Sequence, residues 1–142
     1  MNKNLTLSAF VMLIMLLAMT NCTTKKDPSP TPEPVAYSAN YQFSLTGDYS
    51  NLKIEYMEPA SVKKELTSPA LPWQANITDY NSGDSVALHI TFDINLHGSI
   101  NYSWSSSASS GGSILAEDGN SDSVSEVTQV IPVKIDFGYK IP

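Results

Sequence analysis

From Tyr37 to Leu45 every second residue is apolar. Tyr37, Ala39, Tyr41, Phe43 and Leu45 alternate with Ser38, Asn40, Gln42 and Ser44. A period of two matches a pleated strand that buries one face and wets the other, and it conflicts with the 3.6-residue period of a helix. The pattern recurs. Leu52, Ile54 and Tyr56 alternate with Lys53 and Glu55, and Val86, Leu88, Ile90 and Phe92 alternate with Ala87, His89 and Thr91. Ile100, Tyr102 and Trp104 share one phase, as do Trp73, Ala75 and Ile77. Near the C-terminus Val133, Ile135, Phe137, Tyr139 and Ile141 form another such row, with Pro132 expected to mark a bulge or a switch between sheets. No segment carries a helical period.

Turn chemistry separates these runs. Gly47-Asp48, Pro59-Ala60-Ser61, Asn81 to Asp84 and Asp118-Gly119-Asn120 are the expected turns. Ser105 to Ser113 reads as a flexible low-complexity loop, followed by a short strand over Ile114 to Glu117. The segment Val62 to Thr67, with Lys63 and Lys64, reads as a polar edge strand whose lysines discourage edge-to-edge pairing. Seven or eight short strands within about 105 residues predict an all-β fold, a two-sheet antiparallel Ig-like β-sandwich. A small closed barrel satisfies the same pattern.

The segment ahead of this domain has a different character. Lys3 precedes a continuously apolar run, Ala9 to Met19, of about 11 residues. That is too short to span a hydrocarbon core of ~30 Å, and it fits the apolar centre of a secretory signal. The run ends at Thr20-Asn21-Cys22, and Cys22 is the only cysteine. One cysteine excludes an intrachain disulfide and any multi-cysteine metal site. From Thr23 to Pro34 the chain is TTKKDPSPTPEP, with proline at 28, 30, 32 and 34. Those prolines favour extended polyproline II, and at ~3.1 Å per residue the segment would hold a domain roughly 30–40 Å from its anchor.

Ala18 to Cys22 resembles a bacterial lipobox, in which signal peptidase II cuts before a lipid-modified cysteine. Asn21 stands where a smaller residue is usual, as in the relaxed lipoboxes of Bacteroidota. The resemblance implies two or three acyl chains, palmitate among them, on Cys22. Because Thr23 rather than Asp follows, it also implies outer-membrane placement, periplasmic or surface-exposed. Lys25-Lys26-Asp27 resembles the charged surface-export signals of such lipoproteins; a merely soluble linker is the other reading. The domain organisation is then a signal peptide over 1–21, a lipidated cysteine and Pro-rich linker over 22–34, and a β-domain over 35–142.

Leu45 to Phe92 resembles the sandwich of the MmpS-type transport accessory proteins. Gly47, Tyr56, Leu71, Pro72 and Trp73 match that family's pattern in order. This chain lacks the family's transmembrane helix and cysteine pair. The resemblance implies a shared fold and, more distantly, an accessory role beside an envelope transporter.

Charge removes some classes of function. The net charge is −6 and every cation is lysine. An acidic chain without arginine lacks the positive footprint of a nucleic-acid binder or a polybasic membrane surface. No catalytic set emerges. His89 and His97 are the only histidines, and they read as ordinary surface residues. No serine sits in a Gly-x-Ser-x-Gly elbow, and the acids fall mostly on turns and outer faces. A non-enzymatic envelope lipoprotein without a cofactor is expected, acting as a structural or protein-interaction module. A carbohydrate-binding surface lipoprotein is the alternative. Trp73 and Trp104 are the candidate glycan-stacking residues, although both fall on the apolar phase of their strands, where core packing competes. Tyr49 and Tyr80 lie near turns and are expected to be exposed. Asp118, Asn120 and Asp122 have the 1, 3, 5 spacing of a calcium loop, but Ser123 and Gln129 stand where Gly and Glu would be needed. Asp84-Ser85-Val86 and Asp122-Ser123-Val124 resemble O-glycosylation acceptors of Bacteroidota, which makes Ser85 and Ser123 candidate modification sites.

Overall fold

The structure, a computed structural model, describes residues 35–142. The apolar leader, Cys22 and the Pro-rich segment lie outside the described residues. Eight strands follow one another: β1 Tyr37–Gly47, β2 Tyr49–Glu58, β3 Val62–Thr67, β4 Trp73–Tyr80, β5 Ser85–Ile94, β6 Ile100–Ser110, β7 Ser113–Val124 and β8 Ile131–Lys140. They form two separate four-stranded antiparallel sheets. Sheet A has the order β4-β1-β6-β7, and sheet B has the order β3-β2-β5-β8. The fold is therefore a β-sandwich, and the barrel alternative falls away because no strand pairing joins the two sheets.

The alternating apolar residues become the filling between the sheets. Tyr41, Phe43, Ile54, Val86, Leu88, Ile90 and Phe92 are buried. Aromatic contacts tie one sheet to the other. The Phe43 and Phe92 rings lie 6.0 Å apart, and Phe92 meets Tyr102 edge-on at 5.7 Å. Such pairs contribute about 0.5–1.5 kcal/mol beyond the area they bury. The chain passes from sheet A to sheet B at Gly47-Asp48. Gly47 has φ +109°, and a Cβ there would lie 2.0 Å from the Ser99 carbonyl oxygen, so only glycine fits this corner.

A polar group sits inside the filling. The Tyr80 hydroxyl donates to the Met57 carbonyl oxygen, and the Tyr41 hydroxyl lies 3.4 Å from both that oxygen and the Tyr80 hydroxyl. Tyr80 was expected near the surface, yet it is buried. The register between β1 and β4 slips between Ile77 and Tyr80, with Asp79 at φ +69°. The extra residue of this bulge turns Tyr80 inward. Burial, then the neighbouring Tyr80, pushes the Tyr41 hydroxyl far above the usual tyrosine range, and burial raises Tyr80 as well. A raised folded value contributes stability that is complete below the unfolded value of about 10 and is lost as pH climbs beyond it. Urea midpoints measured upward from about pH 10 should fall steeply, with tyrosinate absorbance appearing together with unfolding. Tyr41→Phe should flatten that dependence; an unchanged slope in the variant would refute the assignment.

Three sequence expectations give way here. Ser105 to Ser113 is not a loop: β6 runs through it to Ser110, and the turn is made by Gly111 and Gly112 at φ +54° and +83°. Ser106 and Ala108 continue the inward phase opposite Tyr41 and Ala39, with small side chains where the alternation had carried large ones. Because β6 is paired on both sides, its backbone is held by two ladders whatever its side chains. Ser106 Oγ is buried and finds no protein partner among the described residues. Second, Asp118-Gly119-Asn120 is not a turn but lies within the 12-residue β7. Gly119 serves a close approach, since a Cβ there would stand 2.7 Å from the Trp104 carbonyl oxygen. Third, Pro132 causes no register slip. It is registered opposite Asp93 in β8, an edge strand, where a missing N–H is tolerated. The lysine-bearing β3 is an edge strand, as its composition requires.

Candidate functional site

The two outer faces of the sandwich differ in charge. On sheet B, Glu55 is flanked by Lys53 at 2.8 Å and Lys63 at 2.7 Å, and Lys53 also reaches Glu65 at 3.0 Å. The two ammonium groups, Lys53 first, hold the Glu55 carboxyl down to about 2, and Glu55 in turn raises Lys53. His89 faces outward, as expected, and its Nδ1 pairs with the Asp136 carboxylate registered opposite it. The hollow on this face is small, about 220 Å³, and its rim carries Glu55, Lys63 and His89.

Sheet A presents the opposite chemistry. Outward residues of its four strands line up in cross-strand rows. One row is Gln74, Gln42, Ser105 and Gly119. The next is Asn76, Asn40, Ser107 and Glu117. On the other side lie Ser44, Ser103 and Ser121, then Thr46, Asn101 and Ser123. Glu117 is the sole ionisable residue in these rows. Side-chain hydrogen bonding within the face is sparse. Ser38 Oγ meets Ser109 Oγ at 2.8 Å, and Thr46 Oγ1 donates weakly to the Asn101 carbonyl at 3.5 Å. Among the described residues the amides of Asn40, Gln42, Gln74 and Asn76 take no part in such a bond.

Small residues between the longer amides leave adjoining troughs. The first, about 450 Å³, is lined by Gln42, Gln74, Ser103 and Ser105 together with Pro72, Trp73 and Trp104. A second, about 480 Å³, continues from Ser44 and Ser103 to Asn101, Asp122 and Ser123. A third of the same size opens from Ser105 and Ser107 toward Glu117, Asp118 and Gly119. Each amide offers both donors and an acceptor, and each hydroxyl offers both roles. The face can therefore exchange hydrogen bonds with a ligand rich in hydroxyls.

The sequence-expected site residues are distributed differently. Trp73 and Trp104 are registered on either side of Phe43, on the inward phase, and both are half-buried against the core. The Trp73 ring packs 6.4 Å from Tyr41 and 5.5 Å from Tyr56. Asp118, Asn120 and Asp122 occupy alternate positions of an extended edge strand instead of a calcium loop. Each accepts, through Oδ1, the N–H of the residue that follows it, at 2.7–2.8 Å. Those bonds occupy N–H groups along one sheet edge, which blunts that edge against further strand pairing. Among the described residues no three His, Cys, Asp or Glu side chains converge as a metal site. His97 is exposed in the turn after β5. Ser85 is the half-buried first residue of β5, and Ser123 is exposed near the end of β7 on the neutral face.

The neutral face itself is only partly legible in the sequence. The outward phase of β1 was legible, but the serines of β6 read as a loop, and nothing local indicates that Gln74 and Asn76 lie beside Gln42 and Asn40. Compared with known protein families, with curated proteins and with solved structures, the chain matches none.

Proposed function

We propose that this protein is a non-enzymatic lipoprotein of the cell envelope, anchored through acyl chains on Cys22, with outer-membrane placement. Its β-sandwich acts as an interaction module whose working surface is the outer face of sheet A. The observation that carries this reading is the segregation of charge. Ion pairs cover the outer face of sheet B, whereas the cross-strand rows of sheet A hold uncharged hydrogen-bonding groups with Glu117 as their one ionisable member. Surface charge is normally interspersed, because charged side chains keep a domain soluble. A face whose rows are mostly uncharged, with the carboxylates of Glu117, Asp118 and Asp122 confined to the edge strand β7, forgoes much of that benefit, and a partner that would otherwise have to desolvate charges gains from it.

A photo-reactive residue placed at Ser103 or Gln42 tests this in intact cells, with Thr91 and Lys134 on sheet B as the comparison. Discrete adducts are expected from sheet A positions and not from sheet B positions. Equal labelling from both faces, or labelling from sheet B alone, would remove the basis for the proposal.

A further inference from the structure

We infer that the partner of the sheet A face is a neutral polysaccharide, laid across the strands over the Gln42–Gln74 and Ser103–Ser105 troughs. This rests on the reading of sheet A as the working surface. Three features of the molecule select this class of ligand. The first is the chemistry of the rows. Asn40, Gln42, Gln74 and Asn76 present planar amides, and the adjacent serines present hydroxyls that act as both donor and acceptor. Sugar hydroxyls need that dual character, because each one donates and accepts. Protein partners are held by buried aromatic, apolar or arginine anchors at the centre of the interface. The first trough is lined by Phe43, Pro72, Trp73 and Trp104 beside Gln42, Gln74, Ser103 and Ser105, but Phe43 is buried and both tryptophans are half-buried against the core, so none of these rings projects as such an anchor, and the chain has no arginine.

The second feature is charge. The chain carries a net charge of −6, and the rows hold no cation. A uronate or phosphate-bearing polymer would find no counter-charge and would meet an unfavourable field. A neutral chain pays neither cost. The third feature is spacing. Strands lie about 4.8 Å apart and same-face residues recur about every 6.8 Å, so the hydrogen-bonding groups form a regular lattice. The three troughs adjoin through Ser44, Ser103 and Ser105, which gives an extended track rather than a closed pocket. An extended track suits a polymer that repeats a weak contact. The half-buried tryptophans border this track without having to serve as a stacking platform.

The test is affinity electrophoresis of the full-length protein in mild detergent. The gels contain laminarin, yeast mannan or galactomannan, with alginate as the anionic comparison. Retardation is expected with at least one neutral polymer and not with alginate. Gln42→Glu combined with Gln74→Glu keeps side-chain size but replaces amide donors by acceptor-only carboxylates. That variant should raise the apparent Kd about tenfold or more, which corresponds to at least about 1.4 kcal/mol. Asn76→Asp should act in the same direction with a smaller change. Lys134→Gln, on the outer face of sheet B, should leave retardation unchanged. A matching urea midpoint shows that the variants fold. Preferential retardation by alginate, or neutral-polymer binding that survives both variants, overturns the inference. If no neutral polymer retards the protein while Ser103 still cross-links to a protein in cells, the polysaccharide inference fails and the interaction module stands. If Ser103 also gives no adduct, both fail.

Discussion

Tyr41→Ala is expected to destabilise the β-domain by about 3–5 kcal/mol, the range for removing a buried aromatic ring. Tyr41 is 0% exposed. Its ring lies 5.9 Å from Tyr56 across the sandwich and 6.4 Å from Trp73 on the neighbouring strand. The alanine variant loses the buried area of the ring, opens a cavity among groups held on two sheets, and leaves the Tyr80 hydroxyl beside empty space. Domains of this size have a total stability of roughly 5–15 kcal/mol, so the loss removes a large fraction of it. Tyr41→Phe separates the ring from the hydroxyl. The Tyr41 hydroxyl lies at a long 3.4 Å from the Met57 carbonyl, which Tyr80 already serves. Losing it should cost no more than about 1 kcal/mol. Urea unfolding of the two variants gives the comparison. If they are equally damaged, the hydroxyl network rather than ring packing holds this part of the core. If both are near neutral, Tyr41 is not central to it.

Cys22→Ala is expected to shift the full-length protein from the membrane fraction to the soluble fraction almost completely. Each buried methylene of an acyl chain contributes ~0.8 kcal/mol, and two or more chains hold a protein stably where one does not. No helix among the described residues is long and apolar enough to cross a membrane. The apolar run ahead of Cys22 is shorter than the roughly 20 residues a spanning helix needs. The measurement is fractionation at low and high salt, paired with incorporation of labelled palmitate. Loss of label together with release supports the anchor. A variant that remains in the pellet through a high-salt wash, from a wild type that takes up no label, would show that some other element holds the protein to the envelope.

What the sequence determines by itself is the phase of most strands. In β1, β2, β5 and β8 large apolar residues recur at every second position, and side-chain direction in a strand alternates strictly. Phe43, Ile54, Leu88 and Ile135 could only face inward together, so the all-β class, the inward rows and the outward placement of His89 follow from local pattern. The acyl-anchor expectation at Cys22 is equally local, resting on a short run of neighbouring residues. Where alternation loses its contrast, the reading fails. Ser106 and Ala108 are inward residues without bulk, so the second half of β6 looks like a linker. Asp118-Gly119-Asn120 has the composition of a turn, yet the close approach of the Trp104 carbonyl requires that glycine within a strand. Tyr80 is carried inward by a bulge that no single residue announces.

Tertiary structure alone decides which strands become neighbours. Two sheets rather than one closed barrel, β4 and β6 on either side of β1, and the resulting rows of amides and hydroxyls all depend on pairings between residues up to some 70 positions apart, such as Ser38 with Ser109. Register is set by burying the inward faces of both sheets at once, and that is a property of the whole core. The outward faces inherit whatever the register brings together. In sheet B it brings lysines to glutamates; in sheet A it brings Gln74 and Asn76 beside Gln42 and Asn40. The neutral face is legible in the sequence only as scattered polar residues, because its existence as a surface depends on contacts that no local pattern encodes.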